Sequence, residues 1–202
     1  MNIIGLYLAA GAGKRMKTAV HKLCLPVGDK PLGSIALQTA FSSQLSSIIV
    51  VTNETDWLLP HFYGERLIIL SCEQASLGQA YSLRCGLEKA ESLQADAVLV
   101  MLADQPFIPK QIINDILHNY RREPENAYIA SCHQGIPRPP VLLSRSVFSL
   151  LKQLQGDQGA RSIFNNPFIT GKLLSYEDPK WFYDVDTPEN YKTICRQPTS
   201  FL

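Results

Sequence analysis

The chain has no excess of either charge, no cysteine spacing that binds or bridges, and no apolar run of membrane length, and each absence removes a class of function. The 19 Lys and Arg stand against 18 Asp and Glu for a formal net charge of +1, which excludes a general nucleic-acid patch and an acidic tail. A ligand that requires positive charge must be met locally. The five cysteines, Cys24, Cys72, Cys85, Cys132 and Cys195, are scattered and lack CxxC spacing. They suit neither a zinc site nor a disulfide framework and read as thiols of a reducing compartment. The four histidines, His21, His61, His118 and His133, show no metal-ligand spacing and read as surface residues. The start, "MNIIGLYLAAG", lacks the basic leader and cleavage site of a signal peptide, so the expectation is a cytoplasmic protein with no membrane or nucleic-acid partner.

What is present is a 202-residue chain, 46% hydrophobic, enough for one sizeable core. Short apolar runs at 3–9, 47–52, 67–70, 97–102 and 127–130 alternate with amphipathic stretches at 33–45, 78–93 and 109–123. Continuous apolar runs fit strands covered on both faces. The alternation predicts an α/β fold: a three-layer, open, mostly parallel, Rossmann-like sheet with helices on both faces. The expected organisation is a single domain over 1–195 and a tail over 196–202. The segment "SVFSLLKQLQGDQGARSIF" reads as helical on both sides of a Gly-Asp break. Ligands in such sheets bind beyond the carboxyl ends of the strands. That directs attention to "AAGAGKRM", "TNET", "ADQP" and "SCHQGIPRPP", the last read as a loop.

After the first strand, Gly11 and Gly13 let backbone N–H groups point into the loop, and Lys14 and Arg15 add charge beside them, a combination that suits a polyphosphate. The dinucleotide pattern GxGxxG fails because its third glycine position is Met16, and "KTAVHKLCLPV" is not an amphipathic helix. The Walker pattern fails because Gly13-Lys14 is followed by Arg15 and the glycine expected upstream is Leu8. A tight turn with solvated charges remains the plain alternative for the loop taken alone. "LAAGAGKRM" followed by "HKLCLPVGDKPL" resembles the signature of the cytidylyltransferase-like nucleotidyltransferases. The resemblance implies a nucleotide-diphospho-sugar transferase-like fold in which Leu8, Ala9, Ala10, Gly11, Ala12, Gly13, Lys14 and Arg15 wrap a triphosphate. Arg15 matches the signature arginine and Lys22 the lysine that reaches the phosphates.

Asp104 follows the apolar run "VLVML" and precedes a helix near Pro109. A carboxylate at a strand's end facing a phosphate loop is where Mg²⁺ bridges protein and phosphates. "DVDTPENY" offers Asp184 and Asp186, on one face if the segment is extended. Asp186 is favoured as the second ligand, with Asp184 its neighbour, while Thr187 and Pro188 make a natural helix start. Nucleotidyl transfer asks for positioning and charge neutralisation, which Arg15, Lys22 and Asp104 would supply without a Ser-His-Asp or Cys-His set.

"LADQPFI", "GDQGAR" and "DVDTPENY" together resemble the molybdenum cofactor cytidylyltransferases, MobA-like nucleotidyltransferases that include accessory proteins of xanthine dehydrogenase maturation. "SLGQAYSLRCGL" also matches, placing Gly78 and Ser82 near the nucleotide base, with Asn53 a further candidate there. The resemblance implies transfer of CMP from CTP, or of another nucleotide, to the molybdopterin cofactor with release of pyrophosphate. Mg²⁺ is the implied metal, and a molybdoenzyme such as xanthine dehydrogenase, in purine catabolism, the destination. Arg138, Asp157 and Arg161 are the candidate acceptor contacts. Two positions depart from the pattern. Lys17 replaces a glycine, with "KTAVH" separating Met16 from Lys22, and Arg138 and Pro139 stand where the family carries a Gly-His-Pro after its Gly-x-Pro. The longer spacer is similar to that of cytidylyltransferases of isoprenoid synthesis and uridylyltransferases of amino sugars. The rival readings are therefore a cytidylyl- or uridylyltransferase acting on a phosphorylated sugar or small metabolite, and a non-catalytic carrier of the molybdenum cofactor.

Overall fold

Every residue of the run Ile3–Leu8 is buried, and neighbouring residues face opposite cores as a pleated strand requires. Ile3 and Tyr7 join one core with Ile48 and Val50; Ile4, Leu6 and Leu8 join the other with Ile49 and Val51. The computed structural model describes residues 1–11, 13–16 and 18–196, with the side chains of Lys14 and Ser162 left out of that description. The expected tail therefore lies, beyond Arg196, outside the described residues.

The chain runs β1 (Ile3–Leu8), β2 (Pro26–Val27), β3 (Lys30–Pro31), α1 (Leu32–Phe41), β4 (Ser47–Val51), β5 (Leu67–Leu70), α2 (Gln79–Ser92) and β6 (Ala97–Leu102). It continues through α3 (Lys110–Arg122), β7 (Tyr128–His133), β8 (Ile136–Ser144), α4 (Phe148–Leu151), β9 (Gly171–Ser175) and α5 (Pro188–Cys195). Seven strands form one sheet in the order β5-β4-β1-β6-β8-β7-β9. β5, β4, β1 and β6 are mutually parallel, and β8 pairs antiparallel with both neighbours. β2 and β3 make a separate two-stranded ribbon. This is the mostly parallel, open α/β sheet that the apolar runs predict.

Helices cover both faces. α3 turns Ile112, Ile113, Ile116, Leu117 and Tyr120 inward, a helical stripe, and packs with α1 and α5 on one core. α2 sits on the other, so close that a Cβ at Gly86 would run into Leu6. Pro109 is the N-cap of α3, just ahead of its first turn. No helix among the described residues is long and apolar enough to cross a membrane.

One expectation needs correction, and a second holds in shortened form. The proline-rich stretch read as a loop is the first half of β8, and only Gln134 and Gly135, both at positive φ, turn the chain between β7 and β8. The register passes from Ala130↔Val141 to Ser131↔Arg138, so Pro139 and Pro140, which have no N–H to give, are the residues the ladder skips. Ser131 Oγ closes this bulge by donating to the carbonyls of Arg138 (2.7 Å) and Pro140 (3.0 Å). The stretch from 145 to 165 is helical on both sides of Gly156-Asp157, as expected, but only in short pieces: a 3-10 turn at Arg145–Val147 leading into α4, and a 3-10 helix at Ala160–Asn165.

Candidate active site

The glycine loop leaves β1 with Ala9 still in the ladder, its N–H bound to Val51 O at 2.9 Å. Gly13 then adopts φ +57, and Met16 N–H returns to Gly13 O at 2.9 Å. Met16, 2% exposed, anchors the far end. His21 braces this arrangement: its Nε2 lies 3.1 Å from Gly11 O, and its side chain caps the turn Lys22–Cys24. The Lys22 stem passes directly beneath Gly13, where an added Cβ would stand 3.2 Å from Lys22 Cγ. The glycine thus serves close approach as well as the positive φ.

Lys22 is 8% exposed, and its ammonium has three acceptors for its three hydrogens. Nζ donates to Asp104 Oδ2 at 2.6 Å, Asp186 Oδ1 at 3.0 Å and Val185 O at 3.3 Å. Burial pulls the Lys22 pKa down, but Asp104 and then Asp186 push it up further, and it lies above its ordinary value. Arg15, its side chain 72% exposed, takes the other oxygen of Asp186 at 2.8 Å. Residues 82 and 164 positions away from Lys22 therefore meet on one nitrogen.

The segment 184–186 is held from both ends. Val185, fully buried, donates its N–H to Asp104 O at 2.9 Å. Beyond it, Thr187 caps α5 in a reciprocal box with Asn190, and Pro188 opens the helix, as "DTPEN" predicts. Asp184 and Asp186 do not share a partner as an extended segment would allow. Asp186 faces Lys22, whereas Asp184 accepts from Gln105 Nε2 at 2.8 Å. Burial raises the Asp184 pKa, with the neighbouring Asp104 and Asp186 adding to the rise while Gln105 and Arg138 oppose it.

A cavity of about 370 Å³ lies over these groups. Leu8, Ala9, Ala10, Gly11, Gly13, Arg15 and Lys22 line one side, Gly78 and Ser82 the other, with Asp104, Asp157 and Asp186 between. Ala12, Lys17 and the side chain of Lys14 lie outside the described residues. Asn53 is not brought to the cavity. Its amide donates to Cys72 O and accepts from Cys72 N–H, both at 2.9 Å, so it braces the segment leading to the Ala75–Gln79 wall. A second cavity, of about 260 Å³, adjoins the first through Leu8, Gln79, Leu102 and Asp157. It gathers Arg138, Asp157 and Arg161, the predicted acceptor contacts, together with Asp184 and Gln105. The loop carrying Asp157 is fastened to the wall that carries Gly78 and Ser82. Gly156 O accepts from Ala80 N–H at 3.0 Å, and a Cβ at Gly78 would collide with the Gly156 backbone.

Gln105, Gln79 and His21 are the site residues that sequence reasoning missed. Gln105 stands next to Asp104 in "LADQPF", and a polar residue beside a strand-end acid was the available signal. His21, taken as a surface residue, is half-buried and shapes the loop.

Residues 5–172 match the MobA-like NTP transferase domain. The chain is 33% identical over 203 residues to the purine catabolism protein PucB of Bacillus subtilis, covering 96% of each. Its fold is similar to that of the Rv0371c homolog from Mycobacterium sp. strain JC1, with a TM-score of 0.80 and 25% identity over 96% of this chain and 94% of that one. It is also similar to Rv0371c of Mycobacterium tuberculosis in complex with manganese, with a TM-score of 0.77 and 22% identity over 98% and 100%. An α/β sheet with a glycine loop, a buried lysine and two carboxylates gathered at one site is thus matched by sequence along most of its length, and the chain belongs to the MobA-like NTP transferase family.

Proposed function

We propose that the chain transfers CMP from CTP to the molybdopterin cofactor with release of pyrophosphate, and so serves maturation of a molybdoenzyme such as xanthine dehydrogenase. The observation that carries this reading is the pair Asp104 and Asp186 gathered on one buried ammonium beside the glycine loop, with a second cavity adjoining. The motifs "LADQPF", "GDQGAR" and "DVDTP" in one chain, and a full-length relative named for purine catabolism, support the choice of acceptor and pathway. The reading takes residues 1–195 as one catalytic domain acting in the cytoplasm.

Mg²⁺ suits the residues present. Two carboxylates that share one cation at 2.6 and 3.0 Å are placed to share another, and hard oxygen donors favour Mg²⁺. Among the described residues no group of three or more His, Cys, Asp or Glu is placed to hold a metal ion, so phosphate oxygens and water would complete the shell. Rv0371c, which has the same fold, has been crystallised with manganese. The metal, when bound, would offset negative charge on the reacting phosphates. Lys22, Arg15 and the N–H groups of the glycine loop hold the triphosphate. An oxygen of the acceptor's terminal phosphate, anionic at neutral pH, attacks the α-phosphorus. The bond from that phosphorus to the bridging oxygen breaks, and pyrophosphate leaves. No general base is needed, and the protein contributes alignment and charge.

Incubating the protein with each nucleoside triphosphate, Mg²⁺ and molybdopterin cofactor, and measuring pyrophosphate, tests the proposal. Release with CTP is the expected result, and no release with any triphosphate sinks the enzymatic reading. The spacer before Lys22 and Arg138-Pro139 favour one rival, transfer to a phosphorylated sugar or small metabolite, which the same assay detects by exchanging the acceptor.

A further inference from the structure

We infer that His21 is a positioning residue for the triphosphate: its ring, neutral and protonated on Nε2, locks the glycine loop to the turn that carries Lys22, so that these two phosphate-binding elements keep one spacing. This role presupposes the triphosphate reading of the first cavity and adds what holds that cavity in shape.

The chain between the two elements has little packing of its own. Met16 is buried before it and Leu23 after it, but Thr18, Ala19 and Val20 are exposed, and Thr18 donates its hydroxyl to Val20 O, within the same stretch. His21, half-buried, reaches back ten positions to Gly11. Its ring meets a different element on each side. Nδ1 accepts from Leu23 N–H at 3.4 Å, inside the turn Lys22–Cys24, and Nε2 lies 3.1 Å from Gly11 O, in the glycine loop. A carbonyl only accepts and a backbone N–H only donates, so the two contacts together fix the tautomer. Nε2 carries the proton and Nδ1 does not. An imidazolium would set one N–H against another at Leu23.

Backbone N–H groups attract phosphate and carbonyl oxygens repel it, so a phosphate loop works only while its carbonyls are engaged elsewhere. His21 engages that of Gly11. On the other side, the Lys22 stem passes beneath Gly13, and its ammonium is fixed on Asp104 and Asp186. A shift of the loop against the turn therefore alters the distance between the loop N–H groups and the ammonium, which a triphosphate must meet at once. The rival role is a plain one, in which His21 merely caps a three-residue turn and the Gly11 contact is incidental. Side-chain length separates the two. An Asn amide ends at the level of Nδ1, so it caps the turn but falls short of Gly11. A Gln amide extends to the level of Nε2 and donates to Gly11 O.

The test titrates the full chain and its variants, with Mg²⁺, against the non-hydrolysable analogue of each nucleoside triphosphate by calorimetry. His21→Asn should weaken the analogue that wild-type protein binds by about tenfold, whereas His21→Gln should stay within about threefold of wild type. Unchanged affinity in His21→Asn, the reverse order of the two variants, or equal losses in both overturns the inference. Nitrogen NMR of wild-type protein, with the His21 ring assigned through the backbone, reads the tautomer directly and serves if a variant does not fold. The proton is expected on Nε2, and a proton on Nδ1 or a ring exchanging between the two forms overturns the inference as well. Wild-type protein that binds no triphosphate sinks the transferase reading, while the tautomer still reports on the His21 tie by itself.

Discussion

The strands β5, β4, β1 and β6 form an unbroken parallel ladder, while β8, β7 and β9 mix directions, skip two prolines and end on a strand whose Leu173 is 42% exposed. The first cavity sits at the ends of β1 and β6, in the regular part, and the second takes its outer wall from the start of β8, in the irregular part. On the proposed function, the difference is a division of labour. Phosphate handling needs groups held to fractions of an ångström, which a doubly covered parallel sheet provides. Acceptor choice needs a wall that can be reshaped, and a bulged hairpin offers one at little cost to the core.

Four experiments probe that contrast. Asp104→Asn should lower kcat by about 10²–10³-fold with the fold intact by circular dichroism, and full activity would dismiss Asp104 from the chemistry. Leu99→Ala, fully buried in β6, should cost about 2–5 kcal/mol in denaturant unfolding, whereas Leu173→Ala on the edge strand should stay within about 0.5 kcal/mol. Similar losses would erase the distinction between the two parts. Gly78→Ala forces a side chain at φ +131 and should cost about 1–3 kcal/mol, raising KM for both substrates because it parts the two walls. A rise for one substrate only would show the cavities to be independent. Lys22→Gln should bind Mn²⁺ about tenfold more tightly without nucleotide, by electron paramagnetic resonance, since the resident ammonium no longer competes for the two carboxylates. Weaker Mn²⁺ binding would show that the carboxylates do not share the ion.

The regular part was readable in the amino-acid order because burial on both faces leaves an unmistakable trace. "IIGLYL", "SIIVV" and "AVLVML" are strands almost to the residue. The glycine loop was readable through its failures against rival patterns. β8 was hidden because "IPRPP" lacks the N–H groups and periodicity that announce a strand, and only the skip in register makes room for it. The split between Asp184 and Asp186 was hidden for another reason. It depends on Val185 binding the carbonyl of Asp104, a contact between segments far apart in the chain. The Lys22 bridge was out of reach in the same way. The residue types were evident, but which atoms meet is decided by the closure of the whole sheet.

The meeting of Gly78 with the backbone of Gly156 has an evolutionary corollary. On the proposed reading, donor recognition and acceptor recognition lie on two loops that fit together only because Gly78 has no side chain at their contact. Substitutions that re-route one loop displace the other, so a change of base preference and a change of acceptor are expected to be inherited together. Exchanging this enzyme's nucleotide would therefore call for transplanting residues 73–82 and 155–161 as one unit.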